Sequence, residues 1–271
     1  MVLPLYDEAP ARRDSPPYVT FGIIAVNAVV FMALLAAPES TVYAIETAYG
    51  LKPIAFTGPD PFFGDFGRYG SFVTYQFLHA GILHFVGNML FLWIFGDNVE
   101  DAFGHGRFLA FYLLSGIAGG LVYVASAPSS GTVMVGASGA MAGVLAAYLM
   151  IRPCAKVEVL FYFWPMKLPA YVVIGLWIGS QILHVMIQTE SDVAWWCHIG
   201  GLGAGALLTL GLRRPGVELF ECMRPDAVPT EAAKASWLQR IGGHDSELES
   251  VDPSSALVAI LRPRWPRVAG P

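Results

Sequence analysis

Apolar residues dominate five stretches of the chain that contain no Asp, Glu, Lys or Arg. They cover residues 15–38, 69–96, 108–151, 168–189 and 193–212. A helix needs about 20 apolar residues to cross a bilayer, so residues 108–151 are too many for one crossing. The Pro, Ser and Gly residues of the segment 127–132 predict a turn that divides this stretch in two. The pattern therefore predicts six transmembrane helices, because lipid offers backbone amides no hydrogen-bond partner outside a helix or a closed barrel.

Charged residues divide the chain into three parts. We predict an N-terminal segment over residues 1–17, a six-helix membrane domain over 18–212 and a polar tail over 213–271, since the last 59 residues hold 16 of the 37 charged side chains. Most Lys and Arg residues near the span ends fall on the side of the membrane that holds both termini. The positive-inside rule then predicts a multi-pass protein with both termini in the cytoplasm, as in an inner cell membrane.

Composition agrees with a membrane protein and excludes several other classes. Hydrophobic residues make up 55% of the chain and charged residues 14%, where a soluble protein has about 25% charged residues. The net charge of −5 gives no basic surface for nucleic acid. The three cysteines, Cys154, Cys197 and Cys222, are odd in number and lack C-x-x-C spacing, which predicts structural thiols rather than a disulfide framework or a zinc site.

Four polar side chains stand out inside the predicted spans, because such groups are costly in lipid and usually functional. His84 and Asn88 are four residues apart in the second span, Ser138 opens the fourth, and His198 lies in the sixth. Counting back about 20 residues from the inner end of each span puts His84, Ser138 and His198 about five to seven residues below the outer surface. At 1.5 Å per residue, the serine and the two histidines share a layer roughly 8 to 10 Å deep.

This group of side chains has the parts of a serine hydrolase. A serine needs a base to remove its proton, and a neutral imidazole suits that role near pH 7. The developing oxyanion needs hydrogen-bond donors, for which the candidates are the Ser138 amide, the His84 imidazole and the Asn88 side chain. Ser138 is expected to begin a helix, where free N–H groups favour negative charge.

Small residues give the fourth and sixth spans faces that can approach closely. Gly139 and Gly143 are four residues apart in the fourth span, and Gly201 and Gly205 have the same spacing in the sixth. Helices with this spacing pack with short distances between their backbones in lipid. We therefore expect the two spans to bring Ser138 and His198 together, although glycines of this kind also serve helix packing alone.

Several short motifs accompany these residues: His79, His84 and Asn88 in one segment, Gly136-x-Ser138-Gly139, His198 followed by Gly200-Gly201, and the runs 77–81, 87–91 and 100–104. Over about residues 18–212 the chain resembles the rhomboid family of intramembrane serine proteases. The resemblance implies a six-helix rhomboid-like bundle, with Ser138 as nucleophile, His198 as base, and an oxyanion hole formed by His84, Asn88 and the Ser138 amide. It gives His79, Gly136, Gly139 and Gly201 supporting roles.

Other positions depart from the family pattern or stay outside it. Some family members place a Tyr one turn after the nucleophile to stack on the base, and this chain has Ala142 there, so His198 must be oriented in another way. His79 lies five residues before His84, which on one helix turns it about 140° away. We interpret His184 in the fifth span as structural, with Gln181 and Gln188 as its polar neighbours at helical spacing.

The sequence thus predicts an all-α membrane enzyme that hydrolyses a peptide bond in or near the transmembrane segment of another protein. Its partners would be that substrate and the lipid bilayer, and no metal or organic cofactor is expected. A non-proteolytic module that binds or escorts membrane proteins remains an alternative. A transporter or proton path is less favoured, because the spans hold no Asp, Glu, Lys or Arg.

Overall fold

The computed structural model describes residues 2–9, 16–57, 65–161, 164–187 and 194–222. The predicted tail beyond Cys222 lies outside the described residues. Within these ranges the chain forms mainly helices, with three short strands. In chain order the elements are β1 (Val2–Asp7), α1 (Tyr18–Leu35), α2 (Glu39–Tyr49), α3 (Asp65–Thr74), α4 (Ile82–Phe103), α5 (His105–Ser126), α6 (Ser138–Ile151), β2 (Lys156–Phe161), β3 (Trp164–Pro169), α7 (Ala170–Met186) and α8 (Trp195–Leu212).

Six of the helices are apolar. Helices α1, α4, α5 and α8 have at least 18 residues and are long and apolar enough to cross a membrane, whereas α6 and α7 are shorter apolar helices of 14 and 17 residues. This arrangement confirms the predicted all-α membrane fold, and the chain is an integral membrane protein. Helix α6 lies in the middle of the bundle, since most of its side chains are buried and they form the centre of the main hydrophobic core.

The second apolar stretch begins differently from the prediction. The charge-free run from residue 69 is not one helix, because α3 and a short 3-10 turn at Tyr75–Phe77 precede α4, which begins only at Ile82. His79 therefore lies in the non-helical segment before α4. The prediction that His79 points away from His84 was wrong, because it assumed that both residues belong to one helix.

A three-stranded antiparallel sheet was not predicted. The strands run in the order β1–β2–β3, with Asp7 opposite Val157 and Lys156 opposite Pro169. Val157 and Val159 are buried while Lys156 points outward, so β2 has the alternation of a half-buried strand. Strands β2 and β3 come directly after α6 in the chain, and Ser138 is at the opposite, N-terminal end of that helix.

Buried carboxylates join the N-terminal elements to the bundle. Asp7 of β1 accepts hydrogen bonds from Asn98 Nδ2 at 2.9 Å and from the hydroxyl of Tyr148 on α6 at 2.6 Å. Glu100 near the end of α4 accepts from the backbone N–H groups of Val19 and Thr20 at 2.9 and 2.7 Å. These first N–H groups of α1 have no partner inside their own helix, so Glu100 acts as the cap of α1.

The chain after α8 packs back onto the bundle. The backbone N–H groups of Arg214 and Phe220 donate to the carbonyl oxygens of Ala102 and Met150. Cys222 then forms a disulfide with Cys154, just after α6. The prediction of three unpaired structural thiols was wrong for these two residues, because spacing along the sequence does not show which distant segments the fold brings together. Cys197 is a buried free thiol.

Candidate active site

Ser138 and His198 meet between two separate apolar helices. Ser138 is the first residue of α6, and His198 lies in the first turn of α8. The Nε2 atom of His198 is 2.8 Å from the Ser138 hydroxyl oxygen. His198 is 7% exposed, while Ser138 is partly exposed. The pair can therefore exchange a proton within a mostly enclosed site that is still accessible from one side.

The other ring nitrogen of His198 also has a partner. Its Nδ1 is 2.6 Å from Oε1 of Gln181 on α7. The indole rings of Trp177 and Trp195 flank the imidazole, with ring centroids 5.7 and 6.0 Å from that of His198. A hydrogen bond at each nitrogen and two adjacent aromatic rings fix the plane of the imidazole without a stacking tyrosine, since residue 142 is alanine.

His84 and Asn88 lie on the first turns of α4, at the same end of the bundle. The Asn88 side chain donates from Nδ2 to the carbonyl oxygen of His84 at 3.0 Å. The His84 ring packs against Gly136 in the loop before Ser138, where a Cβ atom would be 2.6 Å from the ring atom Cε1. Gly136 has φ = 129°, a conformation that side chains disfavour. Residue 136 must therefore be glycine for two reasons: its backbone conformation disfavours a side chain, and the His84 ring occupies the place where a Cβ atom would lie.

His79 contacts His84 rather than pointing away from it. The two rings meet edge to face with centroids 5.2 Å apart, and His79 makes the same kind of contact with Phe85 at 5.5 Å. His79 is buried. It packs behind His84 and limits where that imidazole can lie.

The glycines of α6 and α8 face each other. A Cβ atom on Gly201 would be 2.0 Å from the carbonyl oxygen of Gly139, and one on Gly205 would be 2.4 Å from the Cα of Gly143. A Cβ on Gly139 would also be 2.6 Å from the sulfur of Cys197, the residue before His198. Close backbone packing therefore surrounds the point where Ser138 and His198 meet.

Metal ligands do not cluster in the part of the chain that the structure describes, where no group of three or more His, Cys, Asp or Glu side chains is arranged to hold an ion. The Ser138 hydroxyl and the His198 imidazole lie within hydrogen-bond distance of each other, a geometry that is chemically suited to acyl transfer.

The chain is also similar in sequence to known proteins. The model of the rhomboid domain matches residues 67–215, which include every residue of the candidate site. The chain belongs to the rhomboid family. Rhomboid protease GluP of Bacillus subtilis is 29% identical to it over 211 residues, which are 77% of this chain and 38% of GluP. Putative rhomboid protease YdcA of the same organism is 31% identical over 135 residues, covering 50% of this chain and 62% of YdcA.

Plant relatives carry a more general name. RHOMBOID-like protein 12, mitochondrial, of Arabidopsis thaliana is 27% identical over 164 residues, which are 55% of this rhomboid and 48% of the plant protein. The matched part of the chain thus covers between 38% and 62% of the length of these three relatives. Membership of a family of intramembrane proteases follows from these matches.

Gln181 is the functional candidate that sequence reasoning missed. Its helical spacing predicts a place beside His184, but in the structure its amide oxygen is 2.6 Å from Nδ1 of His198, while His184 stacks on Trp195 with ring centroids 4.2 Å apart. Two features of the sequence favour this role for Gln181. It is a polar residue inside an apolar span, and Ala142 replaces the tyrosine that stacks on the base in some family members. The sequence could not show that α7 and α8 present these two residues to each other.

Proposed function

We propose that this rhomboid is an intramembrane serine protease that hydrolyses a peptide bond in or near the transmembrane segment of a substrate protein. The observation that carries the proposal is the 2.8 Å contact between the Ser138 hydroxyl and His198 Nε2, made by side chains from two different apolar helices. A buried imidazole inside a membrane bundle is costly unless it is used, and its contact with the Ser138 hydroxyl is the one that nucleophilic catalysis requires.

The chemistry proceeds in two steps. In the first, the Ser138 oxygen attacks the carbonyl carbon of the scissile bond while its proton passes to His198 Nε2. The imidazolium then gives that proton to the leaving amine as the C–N bond breaks, which leaves an acyl ester on Ser138. In the second step His198 removes a proton from water, the hydroxide oxygen attacks the ester, and the proton returns to the Ser138 oxygen.

The oxyanion formed in each step needs donors close to Ser138. The backbone N–H of Ser138 is the first of α6 and has no partner inside the helix. The Asn88 amide has a second N–H besides the one bonded to His84. His84, which packs against the loop before Ser138, is the third donor. These three groups would stabilise the negative charge where it develops.

The substrate must expose its backbone to this site. Backbone carbonyls inside a helix are hydrogen-bonded and shielded, so we expect cleavage where small or helix-breaking residues let the substrate unwind. We further propose that both termini face the cytoplasm and that the site opens toward the opposite surface, as the distribution of Lys and Arg favours.

Cleavage of a reporter protein with a library of transmembrane segments tests the proposal, together with covalent labelling by a fluorophosphonate. We expect Ser138→Ala and His198→Ala to abolish both cleavage and labelling while the purified proteins keep their melting temperature within a few degrees. Ser126→Ala is the matched control, because that hydroxyl is exposed at the C-terminal end of α5 and donates to the Tyr123 carbonyl. Cleavage by both site variants at the rate of the unmodified protein would refute the proposal, and an unmodified protein that neither cleaves the reporters nor is labelled would favour the non-proteolytic binding module.

A further inference from the structure

We propose that Gln181 of α7 is a positioning residue for the base, holding His198 in the one tautomer that can accept the Ser138 proton. This inference rests on the proposed function of the site and adds a third polar residue to the serine and the histidine. Gln181 is 3% exposed and belongs to a helix that contributes neither of those two residues.

The orientation of the Gln181 amide follows from its other hydrogen bonds. Its Nε2 lies 3.1 Å from the carbonyl oxygen of Trp177 and 2.9 Å from the hydroxyl of Ser180. The Ser180 hydroxyl donates to the same Trp177 carbonyl at 2.6 Å, so its oxygen is left to accept from Gln181. Both N–H groups of the amide are thereby directed to acceptors, and Oε1 is the atom that faces His198.

The tautomer of His198 follows from that orientation. An amide oxygen only accepts hydrogen bonds, so the Nδ1 atom 2.6 Å away must carry the ring proton. Nε2 then has its lone pair directed at the Ser138 hydroxyl, 2.8 Å away. The opposite tautomer would place two lone pairs against each other at Nδ1 and would leave Nε2 unable to take a proton.

A neutral amide suits this position better than a carboxylate would. An unpaired carboxylate is costly to bury within a membrane bundle, whereas an amide that makes all its hydrogen bonds is tolerated. The side chain therefore performs the orienting part of the work that an aspartate does in a soluble Ser-His-Asp triad, without its charge. The orientation of His198 therefore also depends on the packing of α7 against α8.

Two substitutions separate positioning from packing. Gln181→Met keeps the size of the side chain and removes the acceptor, while Gln181→Glu keeps an acceptor and adds charge. We expect Gln181→Met to slow labelling of Ser138 by a fluorophosphonate about 10- to 100-fold at neutral pH, because the base loses its fixed tautomer. We expect Gln181→Glu to label faster than Gln181→Met, with the acidic limb of its rate–pH profile moved upward by about one pH unit or more, since a carboxylate stabilises the imidazolium.

The matched control is Gln76→Met. Gln76 is also buried and also bonds from Nε2 to the carbonyl four residues earlier, that of Phe72, so its loss should lower the melting temperature comparably without changing the pH profile. Among the described residues, the titratable groups around His198 include His84 on α4 and Cys197 on α8, with Tyr75 and Tyr123 beside Cys197 and His184 on the far side of Trp195. They are the same in every variant, so a difference between the profiles of Gln181→Met and Gln181→Glu arises at residue 181.

Nitrogen chemical shifts of ¹⁵N-labelled histidine in detergent micelles give a second readout that needs no activity. The inference expects His198 to be the Nδ1–H tautomer in the unmodified protein and a mixture in Gln181→Met. It is overturned if the tautomer is the same in both proteins, or if Gln181→Met and Gln181→Glu label alike. If the unmodified protein is not labelled at Ser138 at all, the proposed function fails, and the chemical shifts still decide the role of Gln181.

Discussion

Gly201 of α8 packs directly on the backbone of Gly139 in α6, so closely that a Cβ atom on Gly201 would lie 2.0 Å from the Gly139 carbonyl oxygen. Gly139 follows Ser138 in the chain, and Gly201 is one helical turn after His198. The distance between the two helix backbones therefore sets whether a short serine side chain can reach an imidazole. A larger side chain at this contact must push the helices apart or move the carbonyl.

We predict that Gly201→Ala lowers both stability and the reactivity of Ser138. Overpacking of this kind costs about 1–3 kcal/mol, and we expect it to slow fluorophosphonate labelling by at least about tenfold, since a small misplacement of a catalytic group is costly. Thermal unfolding in detergent and the labelling rate measure the two effects. Gly203→Ala is the control on the same helix, because a Cβ there would meet nothing within 4 Å. Equal behaviour of the two variants would contradict the prediction.

Much of this contact could be predicted from the sequence. Glycines at four-residue spacing on two spans, and a serine and a histidine at matching depths, already indicated that α6 and α8 meet there. Apolar runs without charges likewise predicted the helical membrane fold, because in lipid the backbone has few other choices. These features are local or periodic, and patterns of that kind can be recognised in a single sequence.

The remaining features depend on contacts between distant segments. The bonds from Gln181 to His198 and from Glu100 to the start of α1 join residues of different helices, and no spacing rule relates them. The charge-free run from residue 69 concealed the break before α4, because hydropathy does not distinguish a helix from an apolar loop packed against one. The motif at 100–104 was identified by resemblance, and the structure adds its physical role as a cap.

A methyl group at position 136 should also reduce the reactivity of Ser138. We expect Gly136→Ala to slow labelling of Ser138 more than Gly201→Ala does, because it strains a backbone with φ = 129° and displaces the His84 ring, 2.6 Å from the new atom. Labelling rates and the melting temperature are compared with those of Gly131→Ala. That control lies in the same loop and has no neighbour within 4 Å of its Cβ position. Unchanged labelling in Gly136→Ala would show that His84 and this loop are not coupled to Ser138.

Asn88 should contribute to the rate and little to the fold. Removal of one oxyanion donor costs about 10²–10³ in rate in other acyl-transfer enzymes, so we expect Asn88→Ala to reduce reporter cleavage by that factor. Asn27→Ala removes the same type of bond, from Nδ2 to the carbonyl four residues earlier, on α1. The two variants should lose similar stability, and only Asn88→Ala should lose cleavage. Comparable cleavage by both would assign Asn88 to helix packing alone.

Glu100 should be among the most stabilising polar residues of the bundle. Its carboxylate is 2% exposed, accepts from Val19 N, Thr20 N and the Thr20 hydroxyl, and lies 2.5 Å from His105 Nδ1. Glu100→Gln places an N–H group against these donors, so we expect it to lower the free energy of unfolding by about 3 kcal/mol, as expected when a buried charged partner is lost.

Thr20→Val provides the graded comparison for Glu100. It removes one hydrogen bond to the carboxylate and keeps both backbone bonds, so we expect a loss of about 1 kcal/mol. Because the threonine acts through the carboxylate, the double variant should lose less than the sum of the two single losses. Thermal unfolding of the four proteins in one detergent measures this cycle. Full additivity would mean that the Thr20 hydroxyl and the Glu100 carboxylate stabilise the protein independently of each other.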